Sequence, residues 1–280
     1  MHRVSIRIFA ARCFSQPGQI AMSEDVHVGD QDEELPFLDD LDHTIYQWQM
    51  WADGVGELGQ RKLKNARVFI SRVGGVGGVV AYELAAAGVG KLVLAHGGKI
   101  KHSDLNRQLL MTYDRLGQSR VETARQRLMQ LNPRIQVDVL DANVNDENVD
   151  ALVSQVDIVV DCAPIFEERY AMNRAIVAQG KPMVECAMFE LEGSITTILP
   201  GRTPCLACLS PNPPPAWRRQ FPVFGAVSGT VGCLAAVEVI KLITGIGESL
   251  AGTLLVMDLA SMTFSRRKIH QDMECPICSV

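Results

Sequence analysis

Apolar and polar positions along this chain fall into short blocks that switch between two periods. Val68, Phe69 and Ile70 form an apolar run of strand length, the pattern of a strand covered on both faces. A glycine turn follows, with Gly74, Gly75, Gly77 and Gly78. An alanine-rich helix then runs over 79–87, and Gly88 ends it. Residues 91–95 restart a strand, so this stretch predicts a βαβ unit. The pattern repeats downstream. A helix over 117–131 carries Val121, Ala124, Leu128 and Leu131 on one face and ends at Asn132 and Pro133. Residues 135–139 alternate like a strand. Further strands are expected over 156–161 and 182–187, with helices over 147–155 and 166–179. Alternation of this kind specifies a doubly wound, mainly parallel α/β sheet.

The pattern changes after residue 190. Residues 192–199 read as an antiparallel strand, and 204–222 are irregular and proline-rich. Residues 229–244 form a strongly apolar helix, and 252–258 with 263–265 predict a hairpin that extends the sheet. The start differs again. Residues 1–21 carry His2, Arg3, Arg7 and Arg12 and no acid, which reads either as a targeting leader or as an over-extended start before Met22. Residues 23–42 are acidic and lack periodicity, so 1–43 is expected to be a disordered leader and tail. One domain is expected over 44–280, with Tyr46, Trp48, Met50, Leu58 and Leu63 as packing candidates in a helical segment that Gly54, Gly56 and Gly59 interrupt.

Composition narrows the function classes. The net charge of -5 argues against a nucleic-acid partner. No apolar run reaches the roughly 18 residues that would span a bilayer, so the expectation is a cytoplasmic protein. Of eight cysteines, four form two C-x-x-C pairs, Cys205 with Cys208 and Cys275 with Cys278. That spacing lets both sulfurs of a pair face one tetrahedral ion, and the expectation is one structural zinc per chain. Cys162, Cys186 and Cys233 lie in apolar runs and read as small buried hydrophobes, and Cys13 lies in the leader.

The glycine turn precedes a helix N-terminus, where backbone N–H groups and the helix dipole can hold phosphate. The first glycine of the usual G-x-G-x-x-G pattern is missing, and Arg72 stands there. On the turn alone, phosphate binding and mere close packing of helix on strand remain equally open.

The order of these features resembles the ThiF/MoeB/HesA family, relatives of ubiquitin-activating enzymes. The resemblance covers roughly residues 44–280. It is carried by residues 59–68, Gly74-Gly75-Val76-Gly77, Ala87-Gly88-Val89-Gly90, Leu105-Asn106-Arg107-Gln108, Asn132-Pro133, Glu192-Gly193, the two C-x-x-C pairs, and Phe221-Pro222-Val223-Phe224-Gly225 through to Lys241. Pro222 and Val223 before the glycine-rich helix start look closest to the HesA branch. The resemblance implies a ThiF-type, Rossmann-like sheet with a zinc knuckle, and a dimer. It also implies adenylation, with Mg-ATP, of the C-terminal glycine of a ubiquitin-like sulfur carrier. Gly74, Gly75, Gly77, Arg72, Asn106, Arg107 and Gln108 are then the nucleotide-site candidates, with Arg107 and Arg120 as catalytic candidates.

Against that resemblance the site is depleted. Trp48 stands where the family has an arginine reaching across the dimer. His96 and Gly98 replace two aspartates, the first of which holds the ribose. Arg120 replaces the catalytic lysine, and Pro164 the aspartate associated with Mg²⁺. Such losses imply a pseudoenzyme or partner subunit, bound to an active paralogue or to the sulfur carrier. Two alternatives stand beside it. One is an active adenylyltransferase with a remodelled site. The other is an anion- or metallate-binding accessory protein with Arg72, Arg107 and Arg120 as a cationic pocket, unless those arginines are solvated or paired with acids.

Overall fold

A computed structural model describes residues 35–212 and 220–279. The leader with Cys13, and the acidic residues up to Glu34, lie outside the described residues. In chain order the elements are α1 (Asp40–Met50), α2 (Gly56–Asn65), β1 (Arg67–Ser71), α3 (Gly75–Ala86), β2 (Lys91–Ala95), α4 (Arg120–Leu131), β3 (Gln136–Leu140), α5 (Val149–Ser154), β4 (Ile158–Asp161), α6 (Phe166–Gln179), β5 (Met183–Phe189), β6 (Glu192–Ile198), α7 (Leu206–Leu209), α8 (Gly225–Thr244), β7 (Thr253–Asp258) and β8 (Thr263–Lys268). One sheet holds all eight strands in the order β3-β2-β1-β4-β5-β6-β7-β8. β1 to β5 are parallel, and β6, β7 and β8 add antiparallel. The doubly wound sheet with an antiparallel C-terminal extension is therefore present.

Side-chain alternation divides the apolar strands between two cores. Val68 and Ile70 of β1 face a core with Leu84 of α3, Leu128 of α4 and Val239 of α8. Phe69 faces the other way, onto Val153 of α5, Met172 of α6 and Leu206 of α7. Strands buried on both faces are apolar throughout for this reason. α8 has the length and apolarity to cross a bilayer, although polar residues interrupt its apolar run. It packs instead on α3, α2 and β5, with Val231, Ala235 and Val239 fully buried, as a core helix does.

Several family motifs turn out to be scaffold. Asn132 donates to the Tyr46 hydroxyl at 2.7 Å and to the Ala85 carbonyl at 2.8 Å. A Cβ on Gly88 would lie 2.6 Å from the Tyr46 ring, in a backbone with φ +80°. Gln49 and Gln60 both donate to the Ala87 carbonyl. These bonds hold α1 and α2 against the end of α3.

Three local expectations need correction. The first helix starts at Asp40, inside the segment read as a tail. Asp39 caps it by accepting from the Asp42 N–H at 2.9 Å, and buried Asp42 pairs with Lys64 and Arg134. Those partners, 22 and 92 residues away, are what give an acidic run a folded role. Trp48 and Leu58 are exposed, whereas Tyr46 and Leu63 are buried. Cys233 is exposed and Cys162 half-buried, so only Cys186 is the buried thiol expected of all three. A helix 20 residues long presents every side in turn, and Cys233 lies on its outer one.

Candidate functional site

The carboxyl ends of β1, β2 and β4 meet above the glycine turn, the usual place for a ligand in an open α/β sheet. α3 starts at Gly75, so its first turn lies inside the glycine run. A Cβ on Gly77 would lie 2.5 Å from the Arg72 carbonyl oxygen and 3.1 Å from the Cys162 Cβ. A Cβ on Gly75 would meet the Ser228 hydroxyl of α8 at 2.8 Å. The glycines here satisfy close packing of backbone on its neighbours.

Arg72 follows β1 with φ +61°, a conformation that suits glycine and costs an arginine about 1 kcal/mol. Its guanidinium turns inward and pairs with Glu168 of α6. Nε donates to Oε2 at 2.7 Å and Nη2 donates to Oε1, and both side chains are buried. Arg120, the first residue of α4, is likewise buried. Its Nε and Nη2 donate to Oδ2 of Asp104 at 3.0 and 2.7 Å, and Nη1 donates to the Gly97 carbonyl. Asp104 also accepts from the Gln108 amide at 3.1 Å and from the Lys101 N–H. The cationic pocket of Arg72, Arg107 and Arg120 is thus corrected. Two of the three arginines are neutralised by buried acids, because a buried guanidinium needs a carboxylate within bonding reach.

Arg107 differs from the other two. Its Nη1 donates to the Ser103 carbonyl and to the Asn106 side chain, and among the described residues it has no ion pair. It lies beside Gly75, where a Cβ would come within 3.5 Å of the Arg107 Cγ. Gln108 is buried, and its Oε1 accepts no hydrogen bond among the described residues. Gln108 thus lies beside Gly74, and Arg107, bonded to Asn106, beside Gly75. His96 borders the turn, with Cε1 3.8 Å from the Cβ position of Gly74.

Below this site lies a buried charge cluster that sequence reasoning missed. Arg169 of α6 bridges Asp161 at 3.3 Å and Glu185 at 2.6 Å, and donates to the Cys186 carbonyl. Burial raises both carboxyls, against the pull of Arg169, and brings Glu185 to about 7. The only sequence signal was charge inside apolar strands, at Asp161 and Glu185.

The second constellation lies on the other core. Cys205, Cys208, Cys275 and Cys278 place their sulfurs within 4.8 Å of one another. Cys205 and Cys275 are 3.7 Å apart, and Cys208 and Cys278 3.4 Å. Tetrahedral zinc with ~2.3 Å bonds spaces its sulfurs by about 3.8 Å, so the set fits that ion. Donors surround it: Asn173 Nδ2 lies 3.6 Å from the Cys205 sulfur, and the Asp272 N–H 3.5 Å from that of Cys208. N–H groups aimed at sulfur stabilise thiolate charge.

The ThiF family profile matches residues 46–277. The heterocyst HesA protein of Trichormus variabilis is 48% identical over 233 residues, 83% of this chain and 87% of that protein. The sulfur carrier protein adenylyltransferase of Thermus thermophilus is 35% identical over 242 residues, 83% of this chain and 89% of that protein. Among solved structures, Escherichia coli MccB in a complex with ATP superposes with a TM-score of 0.72 at 25% identity, covering 80% of this chain and 70% of that one.

Proposed function

This chain belongs to the ThiF family, and on that premise we propose that it is a zinc-holding member which no longer adenylates with Mg-ATP and serves as a pseudoenzyme or partner subunit. One observation carries the reading. The arginines at the positions of the expected glycine and lysine are each locked to a buried acid, Arg72 to Glu168 and Arg120 to Asp104. A triphosphate needs cations that are free to turn toward it, and Mg²⁺ needs carboxylate oxygens. Here the carboxylates nearest the turn are already used: Asp104 by Arg120, and Asp161 by Arg169 and the Ala163 N–H. His96, Gly98 and Pro164 supply none. The residues present do not fit Mg-ATP held as the resemblance implies.

The test is ATP–pyrophosphate exchange with full-length protein and a small ubiquitin-like protein ending in Gly-Gly. No exchange is expected. Exchange that Arg107→Ala abolishes would overturn the reading and favour an adenylyltransferase with a remodelled site. That second reading draws on the 35% identity to the Thermus thermophilus protein and on Arg107 beside Gly75 with Gln108 beside Gly74. An anion-binding role now leans on Arg107 alone.

The partner is an active family paralogue or a ubiquitin-like sulfur carrier, and the setting is the cytoplasm. An exposed apolar stripe supports assembly as a dimer. Leu41, Ile45 and Trp48 recur at helical spacing on α1, Phe37 and Trp51 flank them, and the two indoles stack with centroids 6.4 Å apart. Large clustered apolar side chains left in water favour association. Sedimentation at micromolar concentration should give a dimer that Trp48→Glu weakens. A wild-type monomer would count against it.

A further inference from the structure

Cys162 and Cys186 bring two sulfurs within 3.7 Å of each other directly beneath the glycine turn. We propose that this pair is a redox dithiol, closed to an intramolecular disulfide by a hydroperoxide and reopened by a thiol reductant. The geometry comes from the sheet. β4 and β5 run parallel with Asp161 opposite Glu185, and Cys162 and Cys186 are the residues that follow that pair on the two chains of the ladder. Neighbouring strands lie ~4.8 Å apart, inside the Cα separation that a disulfide spans. Closing the gap to a bond of ~2.05 Å asks each sulfur to move by roughly 0.8 Å.

The two thiols have different roles. Cys162 is half-buried and faces the site, with its Cβ near Gly77, so a small peroxide can reach it. Cys186 is 1% exposed, and its S–H donates to the Asp161 carbonyl at 3.0 Å. Cys162 is the accessible sulfur of the two, and the hydrogen bond with Cys162 and burial both push the Cys186 thiol up, so Cys162 is the attacking sulfur. The Cys162 sulfur attacks the peroxide O–O bond, forming a sulfenic acid and expelling an alkoxide that takes up the proton Cys162 gives up, leaving as the alcohol (water from hydrogen peroxide). The Cys186 sulfur then attacks the sulfenic sulfur, and the departing hydroxide takes the Cys186 proton as water. Two thiols lose two electrons, and the peroxide gains them.

Oxidation would tie together structure that surrounds the site. Cys162 leads through Ala163, Pro164 and Ile165 into α6, which carries Glu168 and Arg169. The Cys162 N–H donates to the Ser71 hydroxyl at the end of β1, and the Cys186 carbonyl accepts from Arg169.

The experiment uses full-length, metal-loaded protein exposed to hydrogen peroxide, quenched with an alkylating agent and digested without reduction. The expected product is one peptide joining Cys162 to Cys186, about 2 Da lighter than the sum of its halves and released by dithiothreitol. In Cys186→Ala, Cys162 should instead be captured by dimedone as a sulfenic acid. Exposed Cys233 is the internal control for general oxidation. Recovery of Cys162 in the wild type as free thiol, sulfinic acid or a linkage to any other cysteine, while Cys233 is oxidised, would overturn the proposal.

Discussion

The cysteine cluster and the glycine-turn site are both assembled from distant segments, yet they hold their polar groups in different ways. The cluster spans 70 residues between its two pairs and keeps four identical ligand types around one centre. The glycine-turn site is bordered instead by buried ion pairs. Arg72 pairs with Glu168, and Arg120 with Asp104. A metal site tolerates no partial version, since each lost thiolate removes a bond. A buried ion pair depends on both of its members, because losing one leaves the other charge buried and unpaired. One site thus rests on four like ligands around one centre, and the other on opposite charges held in pairs.

The largest test of this contrast is metal removal. Zinc should be found at one per chain by elemental analysis. Cys275→Ser or chelation should lower the melting temperature by roughly 10 °C or more, since structural zinc contributes several kcal/mol and each is worth about 2–4 °C here. An unchanged melting curve would mean that the cluster adds nothing to stability.

The next effect is on the paired charges. Glu168→Ala strands buried Arg72 and should cost about 3–5 kcal/mol in urea denaturation. Arg72→Gly relieves the left-handed backbone by about 1 kcal/mol, but it strands Glu168, so it too should destabilise. Arg72→Gly with Glu168→Gln should recover most of the loss. Additive losses in the double variant would show that the pair was not exchanged as a unit.

A smaller effect separates Arg120 from the lysine it replaces. Arg120→Lys keeps the charge but loses one of two contacts to Asp104 Oδ2, for a cost of about 1–2 kcal/mol. It should not restore pyrophosphate exchange. Exchange in that variant would mean that one residue, rather than the whole charge arrangement, blocks the chemistry.

The smallest is a pH effect from Glu185. Its carboxyl is raised to about 7 in the fold, above its ordinary 4.5, so the folded state holds its proton more tightly. That stabilisation is full below pH 4.5 and is lost as pH rises through 7. Glu185→Gln should flatten the decline between pH 5 and 7.5 by on the order of 2 kcal/mol. A slope unchanged by the variant would assign it elsewhere.

Much of this was legible in advance. Apolar runs and glycine stops placed β1, β2, α6 and the C-terminal hairpin almost to the residue, because burial on both faces of a parallel sheet leaves a local signature. The two C-x-x-C pairs pointed by their spacing to the four-sulfur cluster that the fold brings together. The start of α3 inside the glycine run was not legible, since intrinsic propensity disfavours helix there and packing against α8 overrides it. Nor was the capping role of Asp39, which depends on Asp42 being held by Arg134.

By itself the sequence determined element order, the family and which side chains were on hand near the turn, because periodicity and motif order are local properties. Only the tertiary structure decided what those side chains do. Arg72 meets Glu168 across 96 residues, Arg120 meets Asp104 across a loop, and Cys162 meets Cys186 across adjacent strands. Charge and thiol chemistry depend on distances of a few ångströms, and those distances are set by the sheet that brings the segments together.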